Sequence, residues 1–316
     1  MSGNTFDSWM RLTRDELAAR CVLFELENAQ LKTARGGSEI QGVRFALASQ
    51  YCKGRGIEVG AGDRPFPLPD GATALYGDCR DQEELSRYFG SQVQSPHGII
   101  DAETFLGVER GSADFVISAH VIEHLFNPLG SLEAIARVLR NGGHAIIAAP
   151  EMKQTFDRDR PVTSLEHILR DYLDGGHGTK LEAFAEHVRY VHPLSAEAIP
   201  TDRVADEAWA LMERGMDIHV HAWTRDAFLE MIQYACGLFG FELVASVSLW
   251  NENIVVLRRV RAKSSGDVYL PCDRRSAAAR SVSAADHRGR FVDRVDVNLA
   301  DRVWRQSNGL HAEIGR

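Results

Sequence analysis

Short apolar runs alternate with longer segments of mixed polarity through the middle of the chain. The runs have the length of buried strands and lie at residues 56–59, 73–76, 114–118 and 144–149. Segment 81–89 instead suits a helix with acidic residues near its N-terminus, and segment 128–139 carries apolar residues at the spacing of an amphipathic helix. Because strands that alternate with helices pack as parallel sheets, the pattern predicts an α/β fold with a doubly wound, Rossmann-like sheet.

A glycine pair follows the second of these helices. Glycine just past a helix end commonly stops the helix, so Asn141-Gly142-Gly143 is predicted to close it after Leu139. The next strand is then expected to begin at His144 and to end at Pro150.

The alternation of strands and helices stops at Pro150 and resumes near Thr224. The residues between them, 151–223, are polar and rich in histidine and acidic side chains, with helical patterns at 164–173 and 181–188. We interpret this stretch as an inserted cap of helices and loops over the mouth of the sheet.

A capped helix and two closing strands complete the predicted domain. Residues 224–236 have the pattern of the helix. The strands are expected at 241–249 and 254–260, joined by a hairpin turn at 250–253.

The two ends of the chain are predicted to lie outside this domain. Residues 1–50 have a helical pattern, in which Thr13 and Glu16 form a capping box and an apolar seam follows at Leu17, Cys21, Phe24 and Leu31. The seam is typical of a helix on the domain surface, while a dimer helix and a lid over the active site stay open. The predicted organisation is an N-terminal helical segment (1–50), a main domain (51–261) that contains the insertion, and a Ser-, Ala- and Arg-rich tail (262–316).

Composition and charge exclude several classes of protein. The net charge of −8 disfavours a long nucleic-acid backbone as partner, and no stretch approaches the roughly 18 apolar residues of a membrane span. Five cysteines without a Cys-x-x-Cys pair argue against a disulfide framework and a thiolate zinc site. We expect a cytoplasmic protein that binds neither nucleic acid nor membrane, and a homodimer is left open.

The first predicted strand runs into a glycine turn, Glu58-Val59-Gly60-Ala61-Gly62. Glycines allow a sharp turn and a close approach of ligand atoms to the backbone. Asp78 lies twenty residues after Glu58, at the end of the next strand, where a carboxylate can accept both hydroxyls of a ribose. The third glycine that a pyrophosphate would need is absent. The turn therefore favours S-adenosylmethionine (SAM), which has no phosphate, over NAD.

Residues 56–150 resemble the class I SAM-dependent methyltransferases, in the broad type 11 group. The stretches that carry the resemblance follow one another in order: Gly56-Ile57-Glu58-Val59-Gly60-Ala61-Gly62, Tyr76-Gly77-Asp78, Ile100-Asp101-Ala102-Glu103, the run from Asp114 to Leu125, and Leu139-Arg140-Asn141-Gly142-Gly143-His144. The resemblance implies a SAM-dependent methyltransferase with a seven-stranded sheet, of the kind found in sugar or secondary-metabolite pathways.

The resemblance also implies where the methionine and ribose parts of SAM bind. The backbone around Gly60, Ala61 and Gly62 would face the methionine part, with Glu58 near its amino group. Asp78 would hold the ribose hydroxyls. From the residues alone, Asp78 can also be an aspartate that caps its own loop.

Further matches concern the adenine and the reacting groups. Asp101 lies where an acidic side chain would reach the adenine amino group, with Ala102 beside the ring, and a loop-capping aspartate is again the alternative. Ala119 and His120 lie where the loop after a strand would reach cofactor and substrate.

A base or a metal would help to deprotonate a hydroxyl acceptor, and histidines offer candidates for both. On a helical turn His120 and His124 share one face, with Glu123 beside them. This is similar to the Glu-x-x-Glu-His element of small-RNA 2′-O-methyltransferases and ubiquinone-pathway O-methyltransferases, where it is associated with a divalent metal. Here His120 replaces the first Glu. A purely structural role for His124, packed beneath the loop, is the alternative.

The insertion carries a second group of histidines, at His167, His177, His187, His192, His219 and His221. In an extended segment His219 and His221 would project to one side, where they could bind a metal, act as a base or line a polar acceptor pocket. Surface histidines are the alternative. Arg158 and Arg160 could hold an anionic group of the acceptor, or pair with surface charges.

These observations lead to one main functional hypothesis, the O-methylation of a small hydroxylated acceptor such as a sugar or natural-product intermediate. The candidate catalytic residues are His124, His120, His219 and His221, and the candidate metal ligands are Glu123, His124, His219 and His221. A metal is not expected. N- or C-methylation, a SAM-binding subunit without turnover and, least favoured, an RNA 2′-O-methyltransferase are the alternatives.

Overall fold

The computed structural model describes residues 39–90, 93–191 and 200–260. Several sequence predictions fall outside these ranges: the capping box at Thr13, the apolar seam from Leu17 to Leu31, His192 and the tail 262–316.

A seven-stranded sheet forms the centre of the fold. Its strands are β1 (Gly54–Val59), β2 (Ala72–Asp78), β3 (Gly98–Ile99), β4 (Ala113–Ala119), β5 (Leu139–Pro150), β6 (Phe241–Leu249) and β7 (Glu252–Arg259). They lie in the order β3-β2-β1-β4-β5-β7-β6. Neighbouring strands are parallel from β3 to β5, and β7 runs antiparallel to both β5 and β6. This is the Rossmann-like sheet of class I methyltransferases, so the predicted fold is confirmed.

Helices flank the sheet and build the insertion. They are α1 (39–51), α2 (Gln82–Phe89), α3 (Pro128–Val138), α4 (Leu165–Asp174), α5 (Lys180–Tyr190), α6 (Val204–Glu213) and α7 (Arg225–Phe239). The side chain of Asp81 caps α2, and that of Thr224 caps α7 as predicted. Within the described ranges, no helix combines the length and apolar character needed to cross a membrane.

Both faces of the sheet are buried. One face packs against α3, α4 and α7 through residues such as Leu132, Ile168 and Phe228. The opposite face is covered by α1, which contributes Leu47 and Ala48. Burial on both sides explains why the central strands read as continuous apolar runs.

The insertion has an apolar cluster of its own. Helices α5 and α6 pack against each other, and Phe184 and Leu211 are buried between them together with Ile218 and Val220. The sequence pattern predicted α4 and α5 but not α6.

The predicted helix stop at Gly142-Gly143 was wrong. Helix α3 ends at Val138, and β5 begins at once with Leu139. The glycines instead lie inside β5, where its pairing with β4 jumps from Leu139 to His144. Gly142 has φ +80°, and an irregular strand needs such a residue just as a helix end does. The two-residue strand β3 was also not predicted, since so short a run shows no periodicity.

Candidate active site

The carboxyl ends of the parallel strands meet at one edge of the sheet, and most of the predicted site residues lie there. The chain moves outward from β1 to β2 and β3, then returns to place β4 on the other side of β1. Such a reversal leaves a crevice between β1 and β4, where α/β proteins commonly bind ligands. The glycine turn follows β1, Asp78 ends β2, and His120 follows β4.

Two positions of the glycine turn, Gly60 and Gly62, leave no room for a side chain. Gly60 has φ +69°, and its amide donates to the Gly77 carbonyl at 3.0 Å. A Cβ on Gly60 would lie 2.4 Å from Cγ2 of Val121, and one on Gly62 would lie 2.7 Å from Cζ of Phe89. Close packing by Val121 of the loop after β4 and by Phe89 of α2 therefore fixes the turn in the form that the sequence predicted.

Glu58 is a buried carboxylate with one oxygen free. Its Oε1 accepts from the Phe66 amide at 2.8 Å, while Oε2 forms no hydrogen bond with any described residue. Burial raises the pKa of Glu58 to about 7, against the lowering effects of the Phe66 amide and of Arg44. A cationic amino group would satisfy the free oxygen and restore the charge of the carboxylate. The residue fits the predicted contact with the amino group of SAM.

The two candidate aspartates differ in their surroundings. Asp78 is buried, and its Oδ1 accepts from the Arg80 amide at 3.0 Å. Asp101 is exposed, and its Oδ1 accepts from the amides of Glu103 and Thr104, so it caps its own loop. These bonds fit the loop-capping role that the sequence left open for Asp101. The ribose contact of Asp78 and the adenine contacts of Asp101 and Ala102 stay predictions.

His120 is held between two buried carboxylates. Its Nε2 lies 3.1 Å from Glu252 and its Nδ1 lies 3.4 Å from Glu123. Burial lowers the pKa of His120, but the two carboxylates outweigh it and raise the pKa to about 9. The ring is therefore a cation at neutral pH, which argues against its predicted role as a base. His120 has a φ of +56° and follows β4 directly, where it stays a candidate contact of the cofactor.

Glu252 is itself paired with Arg44 of α1, so a chain of alternating charges runs from Arg44 through Glu252 and the partly exposed His120 to Glu123. Arg44 and Glu252 are 208 residues apart, and His120 and Glu252 are 132 apart. Neither Arg44 nor Glu252 was predicted as a site residue, because nothing in their local pattern distinguishes them from surface charges.

His124 is oriented by the insertion. Its Nδ1 lies 2.8 Å from Oδ1 of Asp217 and 3.0 Å from the Ile218 carbonyl. With two acceptors at Nδ1, the proton sits there and Nε2 carries the lone pair. Burial lowers the pKa of His124, but the bond to Asp217 and the charge of Glu123 outweigh it, and the net pKa is raised above 6.5. Asp217 was not predicted as a site residue, and its place before His219 is the only local signal.

Asp217 also connects the two halves of the site. Its Oδ2 accepts from the guanidinium of Arg80 at 3.0 Å, and Arg80 lies two residues after Asp78. Burial raises the pKa of Asp217, but the partners His124 and Arg80 lower it to about 2 overall. The carboxylate thus stays ionised and joins the predicted ribose-binding loop to the candidate base.

A cavity of about 210 Å³ opens beside these groups. His124, Arg80 and Asp217 lie on its wall, and the rest of its lining comes mainly from the insertion: Phe126, Lys180, Phe184, Met212, Gly215, Met216, Ile218 and Val220. The ammonium of Lys180 lies 4.9 Å from the ring centre of Phe126. Mixed cationic and apolar walls suit a small acceptor with polar or anionic groups.

The expectation that His219 and His221 project to one site was wrong. The ring of His219 contacts His124, and its Nδ1 lies 2.6 Å from Asp157. His221 faces away into a separate buried cluster with Asp171. The guanidinium of Arg160 donates to the backbone carbonyls of His219 and Val220. Residues 219–221 do not form a regular strand, so their side chains do not alternate as expected.

Arg160 does not have the role that the sequence suggested. It is buried and forms ion pairs with Asp157 and Glu186 in addition to its backbone contacts. Its donors are therefore committed within the insertion, and it is neither a surface charge nor available to an acceptor. Arg158 is exposed beside Asp159.

Three of the candidate metal ligands do come together. One ligand atom from each of Glu123, His124 and His219 lies within 4.8 Å of the others. Both oxygens of the buried Glu123 lack a hydrogen bond to any described residue, although His120 lies at ion-pair distance. The donor set of one carboxylate and two imidazoles would fit a divalent transition metal.

A family comparison adds to this geometry. Residues 81–147 match the model of a family described as a methyltransferase domain. The chain carries a methyltransferase domain. The matched residues run from the cap of α2 into β5 and include Asp101, His120 and His124. Since this family implies the use of SAM, the prediction of a SAM-dependent methyltransferase is confirmed. Comparison with curated proteins yields no match.

Solved structures are similar to the methyltransferase at low identity. The CurJ carbon methyltransferase is 13% identical with a TM-score of 0.36, over 66% of this chain and 49% of that chain. A SAM-dependent methyltransferase from Aquifex aeolicus is 10% identical with a TM-score of 0.36, over 68% and 87% of the two chains. The trans-methyltransferase CalH, in complex with SAH, is 15% identical with a TM-score of 0.35, over 66% and 52%. The chain thus spans about half the length of CurJ and CalH.

Proposed function

We propose that this methyltransferase transfers the methyl group of SAM to a hydroxyl of a small polar acceptor, with His124 as the base. The observation that carries the proposal is the pair of His124 and Asp217 at 2.8 Å on the wall of the cavity. An imidazole held at Nδ1 by a carboxylate has the arrangement of a general base, because the carboxylate stabilises the imidazolium that forms.

SAM supplies an electrophilic methyl group, whose C–S bond breaks as a new O–C bond forms. His124 takes the hydroxyl proton on Nε2, and Asp217 offsets the resulting charge. Arg80 keeps Asp217 ionised and in place. The rest of the site aligns the reactants and excludes water, which lowers the barrier through proximity.

The walls of the cavity indicate the class of acceptor. Arg80 and Lys180 present positive charge, and Phe126 and Phe184 present aromatic surface. At about 210 Å³ the cavity is small compared with typical drug-sized sites of roughly 300–1,000 Å³. A sugar or a natural-product intermediate with hydroxyl and acidic groups would fit this chemistry better than a long polymer.

The cluster of Glu123, His124 and His219 supports a second route to the same product. A divalent metal bound there would lower the pKa of the acceptor hydroxyl, and His124 would then be a ligand instead of a base. Among the described residues this cluster offers three ligand atoms.

The decisive experiment is to screen hydroxylated metabolites for SAM-dependent SAH production by the purified chain. Once an acceptor is found, His124→Ala should lower turnover by about 10²–10⁴-fold, the usual contribution of a general base, while calorimetry shows unchanged SAM binding. His144→Gln is the matched control, since His144 packs on Tyr51 away from the carboxyl ends of the strands.

Each outcome separates the alternatives. Unchanged turnover in His124→Ala would contradict the proposed base. Activity that chelators abolish and Mn²⁺ or Zn²⁺ restores would favour the metal route. Mass analysis of the product distinguishes O- from N- or C-methylation. SAM binding without SAH production from any acceptor would favour a subunit without turnover.

A further inference from the structure

A second cluster of ligating side chains lies on the far side of the histidine segment, apart from the methyl-transfer site. His167 and Asp171 lie one turn apart on α4, and His221 approaches them from the segment before α7. Oδ2 of Asp171 lies 3.1 Å from Nε2 of His167 and 3.6 Å from Nε2 of His221. All three atoms lie within 4.8 Å of one another.

These three atoms converge, with Oδ2 of Asp171 at ion-pair distance from both ring nitrogens. Asp171 and His221 are buried, with no exposed side-chain surface, yet none of the three atoms forms a hydrogen bond with a described residue. Buried polar atoms are nearly always satisfied, so a cluster of unsatisfied ones indicates a missing partner. An ion pair between His167 and Asp171 alone would leave Nε2 of His221 facing a carboxylate without a bond.

Other contacts orient the side chains of Asp171 and His221. The second oxygen of Asp171 accepts a hydrogen bond from the hydroxyl of Thr179, which fixes the carboxylate. The ring of His221 is stacked on Trp223. Neither ring nitrogen of His221 forms a hydrogen bond with a described residue, so its Nε2 is available to a ligand. A metal ligand needs a neutral imidazole and an oriented carboxylate.

We propose that His167, Asp171 and His221 bind a zinc ion. Ligands at about 2.0–2.1 Å from zinc in a tetrahedron lie about 3.3 Å apart, close to the two distances from Asp171. His167 is partly exposed and lies on the wall of a cavity of about 200 Å³ with Thr163 and Ser164. That cavity offers room for a water ligand and a path for the ion.

The ion would have a structural role. It would fasten α4 to the segment 217–221, which carries Asp217 and His219 toward the methyl-transfer site. The proposal does not depend on the acceptor or on His124, since none of the three ligands lines the acceptor cavity.

The test is the zinc content of the untagged chain after incubation with ZnCl₂ and removal of free metal. Elemental analysis should find about one zinc bound by this cluster, and His167→Gln should lose one equivalent relative to the wild type. His219→Gln is the matched control and should keep that zinc, because its side chain belongs to the cluster with Glu123. Cobalt in place of zinc should give the visible absorption of a tetrahedral site, absent in His167→Gln.

Folding is checked by circular dichroism, and the partly exposed His167 makes its variant the one expected to fold. A strong chelator should lower the Tm of the wild type but leave that of His167→Gln unchanged. The proposal is overturned if the wild type binds no zinc, if His167→Gln retains all of it, or if only His219→Gln loses it.

Discussion

The variant Asp217→Asn tests the arrangement of the candidate base most directly. It keeps the shape of the side chain but removes the charge that lies 2.8 Å from Nδ1 of His124. Hydrogen bonds to charged groups contribute about 1.5–3 kcal/mol. The side chains of His124 and Asp217 are 30% and 25% exposed, so solvent screening favours the lower end of that range. About 1.5 kcal/mol corresponds to a fall of roughly one unit in the pKa of His124.

The expected result follows from the need for a neutral base. The rate of the wild type should rise with pH through the raised pKa of His124, above its ordinary value of 6.5. In Asp217→Asn the midpoint should move down by about one unit, and the plateau at high pH should fall because the weaker base accepts the proton less readily.

The assay is the initial rate of SAH formation across the range in which imidazoles titrate, at saturating SAM. Asp206→Asn, an exposed change at the start of α6, is the control for loss of an acidic charge and should leave the profile unchanged. If Asp217→Asn keeps both the midpoint and the plateau of the wild type, His124 is not the base or Asp217 is not its partner.

Two further predictions concern the cofactor site and the buried charges. Asp78→Ala should weaken SAM binding by about 10²-fold or more, because two hydrogen bonds from the ribose to a carboxylate would be lost; calorimetry measures this, and unaltered affinity would refute the ribose contact. His120 has a folded pKa of about 9 against 6.5 for a free ring, so its stabilising effect is full below pH 6.5 and is lost as the pH rises through 9. With 37% of the ring exposed, screening reduces that effect to about 1–2 kcal/mol in the free energy of unfolding. Urea unfolding at pH 6.5 and at pH 9 should show a lower free energy of unfolding at the higher pH in the wild type but not in His120→Gln. An equal change with pH in the two proteins would contradict the raised pKa of His120.

Elements with a strong local signal were predicted well. Strand β1 and its glycine turn, helix α2, and α7 with its cap at Thr224 all follow from residues close together in the chain. Where two structures use the same local residue, prediction failed. Gly142 reads equally as a helix stop and as an irregular strand position, and only the pairing of β5 with β4 decides between them.

The sequence by itself determined most of the alternating strands and helices and the glycine turn, because periodicity and turn chemistry act over a few residues. Tertiary structure decided the state of each candidate histidine. The pKa of His120 is raised by Glu123 and by Glu252, which is 132 residues away, and the ring of His124 is oriented by Asp217, 93 residues away. His219 and His221, only two residues apart, were separated into different clusters. Charges and hydrogen bonds depend on which distant segments the fold brings within a few ångströms, and no local pattern records that.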